Sequence, residues 1–246
     1  MAKHKISIVI PILNEAETIS KLLQHLTTHS SKENIADIII VDGGSLDGSQ
    51  DIVKSFTFSD HTYGSNETNP LSIRLEHSKK GRARQMNVGA KASSGNILYF
   101  LHADSFPPKH FDQLIIDEIE KGNHAGCFKM KFDDDHWWLR LAGWLTQFRW
   151  RACRGGDQSQ FITKSLFESL GKFNESFIIY EDNDLINKLY AIDKFVVIQE
   201  WLTTSARRYE NNGIWKLQYH FWTIYVKKWF GASAEDLHDY YLRHIV

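Results

Sequence analysis

The sequence predicts an α/β fold in which a central, mostly parallel sheet is flanked by helices, with further aromatic helices toward the C-terminus. Three observations carry that expectation. Apolar β-branched runs alternate with stretches of helical spacing, each run ends in polar or glycine-rich residues, and all eight tryptophans lie at or beyond Trp137. With 246 residues, 42% of them apolar and 24% charged, the chain can bury a sizeable core without disulfide or metal staples, and it reads as a single domain over residues 1–246. Lysines and arginines number 29 against 30 acidic residues, so no global basic field points to a nucleic-acid partner.

The elements follow in order. Ile6 to Ile12 is a continuous apolar run of the kind found in strands covered on both faces, and Glu15 to Leu26 carries helical spacing through Ile19, Leu22, Leu23 and Leu26. The apolar run after two lysines has a superficial likeness to a signal peptide. It contains Pro11 and passes into Asn14-Glu15 without a small-residue cleavage site, which favours the strand. A second strand, Ile38 to Val41, ends in Asp42-Gly43-Gly44-Ser45, and a helix follows over Ser49 to Phe56. Thr57 to Pro70 is polar and aperiodic and reads as a surface loop. Ser72 to Glu76 is a third, weaker strand, Gly81 to Ala92 a helix, and Ile97 to Leu101 a fourth strand ending at His102-Ala103-Asp104. Short connections between strands and helices imply right-handed crossovers and a parallel sheet. In such sheets ligands bind beyond the carboxyl ends of the strands, where the three polar clusters would converge.

The pattern changes after Pro107-Pro108 and the helix Lys109 to Gly122. Ala125 to Phe132 reads as a strand, Gln160 to Thr163 as another, Ser165 to Leu170 as a short helix, and Tyr180-Glu181-Asp182-Asn183-Asp184-Leu185 opens a helix to Ala191. Phe195 to Gln199 is the last clear strand, and Ile214 to Phe230 is a long helix with aromatics on most faces. Cys127 and Cys153 form no CxxC or Cys/His cluster, which argues against a zinc site or a disulfide framework and fits a reducing, cytoplasmic setting.

Several side chains stand where chemistry is expected. Asp104, just past a strand, could cap a turn or hold Mg2+ or Mn2+ against a diphosphate, since such hard cations combine a few carboxylate oxygens with phosphate oxygens and water. Glu181, Asp182 and Asp184 crowd a helix start, where the dipole favours negative charge and where a general base could equally be housed. Lys79-Lys80-Gly81-Arg82-Ala83-Arg84 holds four cations in six residues, either a solvated turn or a phosphate-binding helix start. Arg207-Arg208, after the last strand, carries the same two readings.

Taken together, Ser7 to Glu15 (SIVIPILNE), Asp42 to Asp47 (DGGSLD), Gly81 to Ala90 (GRARQMNVGA), Leu101 to Asp104 (LHAD) and Glu181 to Leu185 (EDNDL) resemble, in order and spacing, the family 2 glycosyltransferases of GT-A fold. The resemblance covers most of residues 5 to 200. It is closest to a bacterial subgroup in which His-Ala-Asp replaces the usual D-x-D triplet and GDQ and SARR motifs follow, here Gly156-Asp157-Gln158 and Ser205-Ala206-Arg207-Arg208.

The resemblance implies a GT-A, Rossmann-like sheet and an inverting transfer of a sugar from a nucleoside-diphosphate sugar, UDP-linked by family precedent, to an acceptor hydroxyl. Pro11, Asn14 and Glu15 would line the nucleotide pocket, Asp42 would touch base or ribose with Arg84 nearby, and Arg82 would belong to the same nucleotide-binding set. Asp104 would bind the divalent metal, while His102, a poorer ligand than carboxylate for Mg2+, would contact ribose or phosphate. Asp182 would be the general base with Glu181 beside it, and Gly156, Asp157, Gln158, Arg207 and Arg208 would face donor sugar and acceptor. A sugar-nucleotide pyrophosphorylase would need a glycine-rich basic loop after the first strand, where this chain has Ile12-Leu13-Asn14-Glu15. A non-catalytic sugar-nucleotide binder would not need both Asp104 and Asp182.

The acceptor would be a carbohydrate, a lipid or a small molecule. His136 to Arg154 and Ile214 to Phe230 combine tryptophans with cations and contain no acidic residue. They suit helices packed on the sheet, since apolar residues nearly surround the second one as in a buried helix, and they suit peripheral contact with the inner face of a membrane. The tryptophan asymmetry divides the chain into a donor half, residues 1–135, and an acceptor half, residues 136–246.

Overall fold

A computed structural model describes residues 4–57, 71–155 and 158–245. Its strands are β1 (Ile6–Ile12), β2 (Ile35–Asp42), β3 (Ile73–His77), β4 (Ile97–Phe100), β5 (Ser105–Phe106), β6 (Ala125–Phe132), β7 (Gln160–Thr163) and β8 (Val196–Thr204). Its helices are α1 (Ala16–His29), α2 (Ser49–Thr57), α3 (Arg82–Ala92), α4 (Phe111–Glu120), α5 (Trp137–Leu145), α6 (Lys164–Ser169), α7 (Glu181–Ala191), α8 (Arg207–Asn212), α9 (Ile214–Trp229) and α10 (Ala234–His244), with a 3-10 turn at Arg151–Cys153. Among the described residues the strands form one sheet in the order β3-β2-β1-β4-β7-β6-β8-β5. The first four are parallel, β7 runs against both β4 and β6, and β5 runs against β8. This is the mixed α/β architecture that the alternating pattern predicts.

Burial explains why the early strands read as unbroken apolar runs. Ile6, Ile8, Ile10 and Ile12 turn one way, onto Ile19, Leu22, Leu23 and Leu26 of α1 and Ile115 and Ile119 of α4. Val9, Ile39, Val41, Leu98 and Phe100 turn the other way, onto Ala83 and Met86 of α3 and Leu185 and Leu189 of α7. Both faces of the sheet are therefore covered, and polar alternation has no place in its centre. The tightest contact falls at Gly89 of α3, where a Cβ would lie 2.3 Å from Cγ1 of Val9.

Four expectations need correction. The second strand begins at Ile35 rather than Ile38, because the polar Asp37 within it is buried and paired with Arg74 at 2.8 Å. The last strand runs on to Thr204 rather than stopping at Gln199. Phe128 pairs with Ile198 but Lys129 with Trp201, so Gln199 and Glu200 bulge out and break the apolar run. Neither β5 nor α10 is expected from the sequence. The fourth correction concerns α9, which is not a buried helix: only Leu217 and Ile224 are buried, and it packs on α8 and α10. The loop expected at Thr57 to Pro70 lies outside the described residues, save Thr57, which closes α2. No helix among the described residues is long and apolar enough to cross a membrane.

Candidate active site

Parallel register sets the site. Ile12 lies beside Asp42 and Val9 beside Phe100, so the segments Leu13 to Glu15, Gly43 to Asp47 and His102 to Asp104 leave the sheet along one edge. The first two are laced together. Ser45 Oγ accepts from Asn14 N at 2.9 Å, Asn14 Oδ1 from Leu46 N at 2.9 Å, Ser49 Oγ from Glu15 N at 2.8 Å, and Asp47 Oδ2 from Ala16 N at 2.9 Å. Asn14 adopts a left-handed φ of 57°, a conformation that asparagine tolerates and that is common where a turn is shaped for a ligand. Pro11 is buried within β1. From the far side, Gln85 Nε2 donates to the carbonyls of Ile12 and Val41, both at 2.8 Å, and joins the ends of β1 and β2. Gln85 has no role in the sequence reading, although it stands inside the GRARQMNVGA motif.

Asp42 turns into its own turn. Its carboxylate accepts from Gly44 N at 2.9 Å, Ser45 N at 3.1 Å and Gln50 Nε2 at 2.8 Å, and the residue is 1% exposed. Burial pushes its carboxyl upward, but the hydrogen bonds from Ser45, Gly44 and Gln50 outweigh it and hold the group below the ordinary carboxylate value. In the described geometry Asp42 shapes the turn at the end of β2.

Asp104 is brought to the SARR segment by β5 and β8. Ser105 pairs with Thr204, their hydroxyls 2.9 Å apart, and the Asp104 carbonyl accepts from Ser205 N at 3.2 Å. Asp133 Oδ1 accepts from Ala206 N at 2.6 Å and fixes the start of α8. That placement delivers Arg207 to the opposite side of the rim, where its Nη2 reaches Glu15 Oε2 at 3.1 Å. Burial opposes the charge on Arg207, yet Glu15, with Asp104 and Glu17, raises its pKa further. Glu15, Asp104 and Arg207 thus form one electrostatic group from three distant stretches of sequence. Arg208 is exposed on α8.

The carboxylates of α7 meet α3. Arg82 donates from Nε to Glu181 Oε1 at 2.5 Å and from Nη2 to Asp182 Oδ2 at 3.3 Å. Glu181 is wholly buried and its Oε2 has no hydrogen-bond partner among the described residues, whereas the Asp182 side chain stays 10% exposed. Tyr180, which precedes the helix, holds a left-handed φ of 78°, a strained setting for a bulky residue. Asp184, the third of the cluster, pairs with Lys188 at 3.0 Å on the helix itself. Arg82, expected in the nucleotide site, spans the two carboxylates; Arg84 lies outward, 3.8 Å from Glu175.

Gln158 is also placed differently from the expectation. It is 6% exposed, donating to the Cys153 carbonyl at 3.3 Å and accepting from the Cys127 thiol at 3.6 Å, so it braces the floor. Gly156 and Asp157 lie outside the described residues. Arg154, one of the cations in the aromatic stretch, is buried and donates to Cys127 Sγ at 3.1 Å, to the Phe148 carbonyl at 2.8 Å and to the Thr146 carbonyl. Burial pushes the Cys127 thiol up, although Arg154 works against it.

No three His, Cys, Asp or Glu side chains among the described residues gather closely enough to hold a metal alone. One hard carboxylate, Asp104, at a rim with Arg207 nearby suits a Mg2+ or Mn2+ ion that completes its shell with diphosphate oxygens and water. The residues fit a cation that arrives with its nucleotide.

Comparison with known proteins bears on the same residues. Residues 7–173 match the family described as glycosyl transferase family 2. The glycosyltransferase AglE of Haloferax volcanii is 34% identical over 102 residues, covering 42% of this chain and 31% of that protein. An undecaprenyl-phosphate 4-deoxy-4-formamido-L-arabinose transferase of Proteus mirabilis is 24% identical over 208 residues, covering 83% of this chain and 57% of that one. The chain spans less than two thirds of either relative's own length. Among solved structures, S. aureus TarS 1-349 in complex with UDP superposes with a TM-score of 0.64 at 16% identity, over 82% of this chain and 60% of that one. The mannosyltransferase PcManGT from Pyrobaculum calidifontis, in complex with GDP-Man and Mn2+, superposes with a TM-score of 0.67 at 16% identity, over 98% and 70%. These neighbours share the GT-A fold.

Proposed function

The chain belongs to glycosyl transferase family 2 and is a glycosyltransferase of GT-A fold, and we propose that it moves a sugar with inversion from a nucleoside-diphosphate sugar, first choice UDP-linked, to an acceptor hydroxyl. The observation that carries the reading is the Asp182 carboxylate, at a helix N-terminus and gripped by Arg82 from the helix that also joins the ends of β1 and β2 through Gln85. That juxtaposition supports reading Asp182 as a base beside the nucleotide pocket.

In this reading Asp182 takes the proton of the acceptor hydroxyl, the oxygen forms its bond to the anomeric carbon, and the bond from that carbon to the diphosphate oxygen breaks on the opposite face. The leaving nucleoside diphosphate carries away the bonding pair as negative charge. Arg207 faces that charge, with Glu15 keeping it aimed, and His102, just past β4, keeps its proposed contact with ribose or phosphate. A Mg2+ or Mn2+ ion on Asp104 would add charge neutralisation at the diphosphate. Glu181 is too buried to touch a sugar and acts by holding Arg82. Pro11, Asn14 and Glu15 form the nucleotide side, and the acceptor, a carbohydrate, a lipid or a small molecule, enters from the half beyond residue 135. Gly156, Asp157 and Arg208 keep their proposed place toward donor sugar and acceptor, and the His-Ala-Asp form of the metal motif remains part of the proposal.

The structural neighbours fit two features of this reading, a nucleoside-diphosphate donor and a divalent cation. TarS was solved with UDP and PcManGT with GDP-Man and Mn2+, which fits a diphosphate-borne cation. A thermal-shift panel of UDP, GDP and their sugars, each with and without Mn2+, tests the donor. One class should raise the melting temperature, and more with Mn2+, because a ligand that binds only the native state stabilises it by mass action. No shift with any nucleotide would overturn the donor assignment.

A further inference from the structure

The tryptophan helices leave an apolar stripe facing outward. Trp215, Tyr219, Trp222, Val226 and Trp229 of α9 follow one another at spacings of four and three, so at 3.6 residues per turn they share an arc of about 80° over roughly 21 Å of helix. They are 53%, 63%, 50%, 48% and 85% exposed, and Phe230 beyond them is 83% exposed. Leu217 and Ile224, on the opposite side, supply the inward contact. The helix is therefore apolar on two faces, and the described residues cover only one of them.

A second stripe repeats the pattern. On α5, Trp137, Leu141 and Trp144 share one side and are exposed, while Leu139 and Gly143 face inward. The rings of Trp137 and Trp215 lie 5.7 Å apart, so the stripes meet in one surface. An exposed apolar area of this extent is unusual for a protein without a partner there.

Charge selects the partner. Neither α5 nor α9 contains an aspartate or glutamate, and Arg140, Lys216 and Lys227 stand exposed beside the stripes. Tryptophan and tyrosine settle at the headgroup level of a bilayer, and flanking lysines and arginines draw a helix to anionic lipid. The surface also adjoins the proposed base. Tyr225 of α9, partly exposed, has its hydroxyl 3.4 Å from Asn183 Nδ2, the residue after Asp182, and its ring 5.9 Å from that of Tyr180.

We infer that α5 and α9 form a docking surface for an anionic membrane leaflet, lying in the interface with the Trp215 to Trp229 stripe among the headgroups and presenting the Asp182 end of the site to a lipid-borne acceptor. The docking stands on exposure and charge alone; the acceptor consequence rests on the sugar transfer proposed above.

Co-sedimentation with vesicles of phosphatidylcholine containing phosphatidylglycerol, in the absence of any nucleotide sugar, tests the surface without depending on that transfer. The protein should pellet with these vesicles, less with phosphatidylcholine alone, and less at high salt. Lys216→Glu should weaken binding by about fivefold or more, given the usual pull of one lysine near an anionic surface. Trp229→Ser combined with Phe230→Ser should weaken it by about tenfold or more while leaving far-UV dichroism and melting temperature unchanged, since these side chains are 85% and 83% exposed. No pelleting with anionic vesicles would overturn the inference, as would pelleting that the double variant leaves intact. A dimer in sedimentation equilibrium that the double variant dissolves would assign the stripe to a second copy and overturn it equally.

Discussion

At the scale of residues, the site is made of side chains that restrain one another. Asp42 illustrates the energetics. A carboxylate that accepts three hydrogen bonds in the fold and has a lowered pKa contributes stability above the ordinary value of 3.8, and loses it as pH falls toward the folded value. Asp42→Asn should therefore cost about 2 kcal/mol at pH 7, and the gap to wild type should close below about pH 4. Melting temperatures of both proteins across pH 3 to 7 check the sign; a gap that widens in acid would contradict it. The motif residues Glu15, Asp42, Asp104, Glu181 and Asp182 were all legible from their spacing, because strand ends and helix starts announce themselves in sequence. Their partners were not. Nothing in Arg82 or Arg207 alone says that the first will grip carboxylates 99 and 100 residues away, or that the second will reach Glu15 across 192. Long-range pairing is decided by topology, and Gln85, a neutral residue inside a basic motif, gave no chemical cue to its place between two strand ends.

At the scale of elements, legibility followed burial. β1, β6 and β7 match their expected bounds because covered strands leave unbroken apolar runs, and α1 and α3 differ by a turn or less. The second half of β8 was hidden by its bulge, and β5 by a length of two residues. α10 was hidden by a thin core, with Leu237 its one buried residue, although Ser233 and Asp236 form a capping box that sequence alone can suggest. In α9, apolar residues on two faces were read as burial, whereas one face is solvent-exposed; composition cannot separate the two cases, and only the neighbouring helices do. Gly89 shows what close packing demands. Gly89→Val would drive a side chain into Val9 of the central strand and should destabilise the protein by about 2 kcal/mol or more, while Lys91→Ala on the exposed side of α3 should be nearly neutral. Urea midpoints of the two variants check this, and equal midpoints would mean that α3 stands off the sheet.

At the scale of the molecule, one sheet carries both proposed tasks. The parallel strands hold the nucleotide turns, and β6, β7 and β8 carry the segments that return Arg207 and the α7 carboxylates to the same edge. The division at residue 135 that the tryptophans suggest is thus a proposed division of surface within a shared sheet, with the aromatic helices on the outside. The central claim is that a nucleoside-diphosphate sugar binds this edge and that Asp182 activates what attacks it. The most direct measurement is nucleoside diphosphate release from the sugar donor that stabilises the protein, compared between wild type and Asp182→Asn, with donor binding followed by thermal shift. The account predicts equal shifts and a rate lowered by about 10²- to 10⁴-fold in the variant. A folded, donor-binding Asp182→Asn protein that releases nucleotide at the wild-type rate would contradict it.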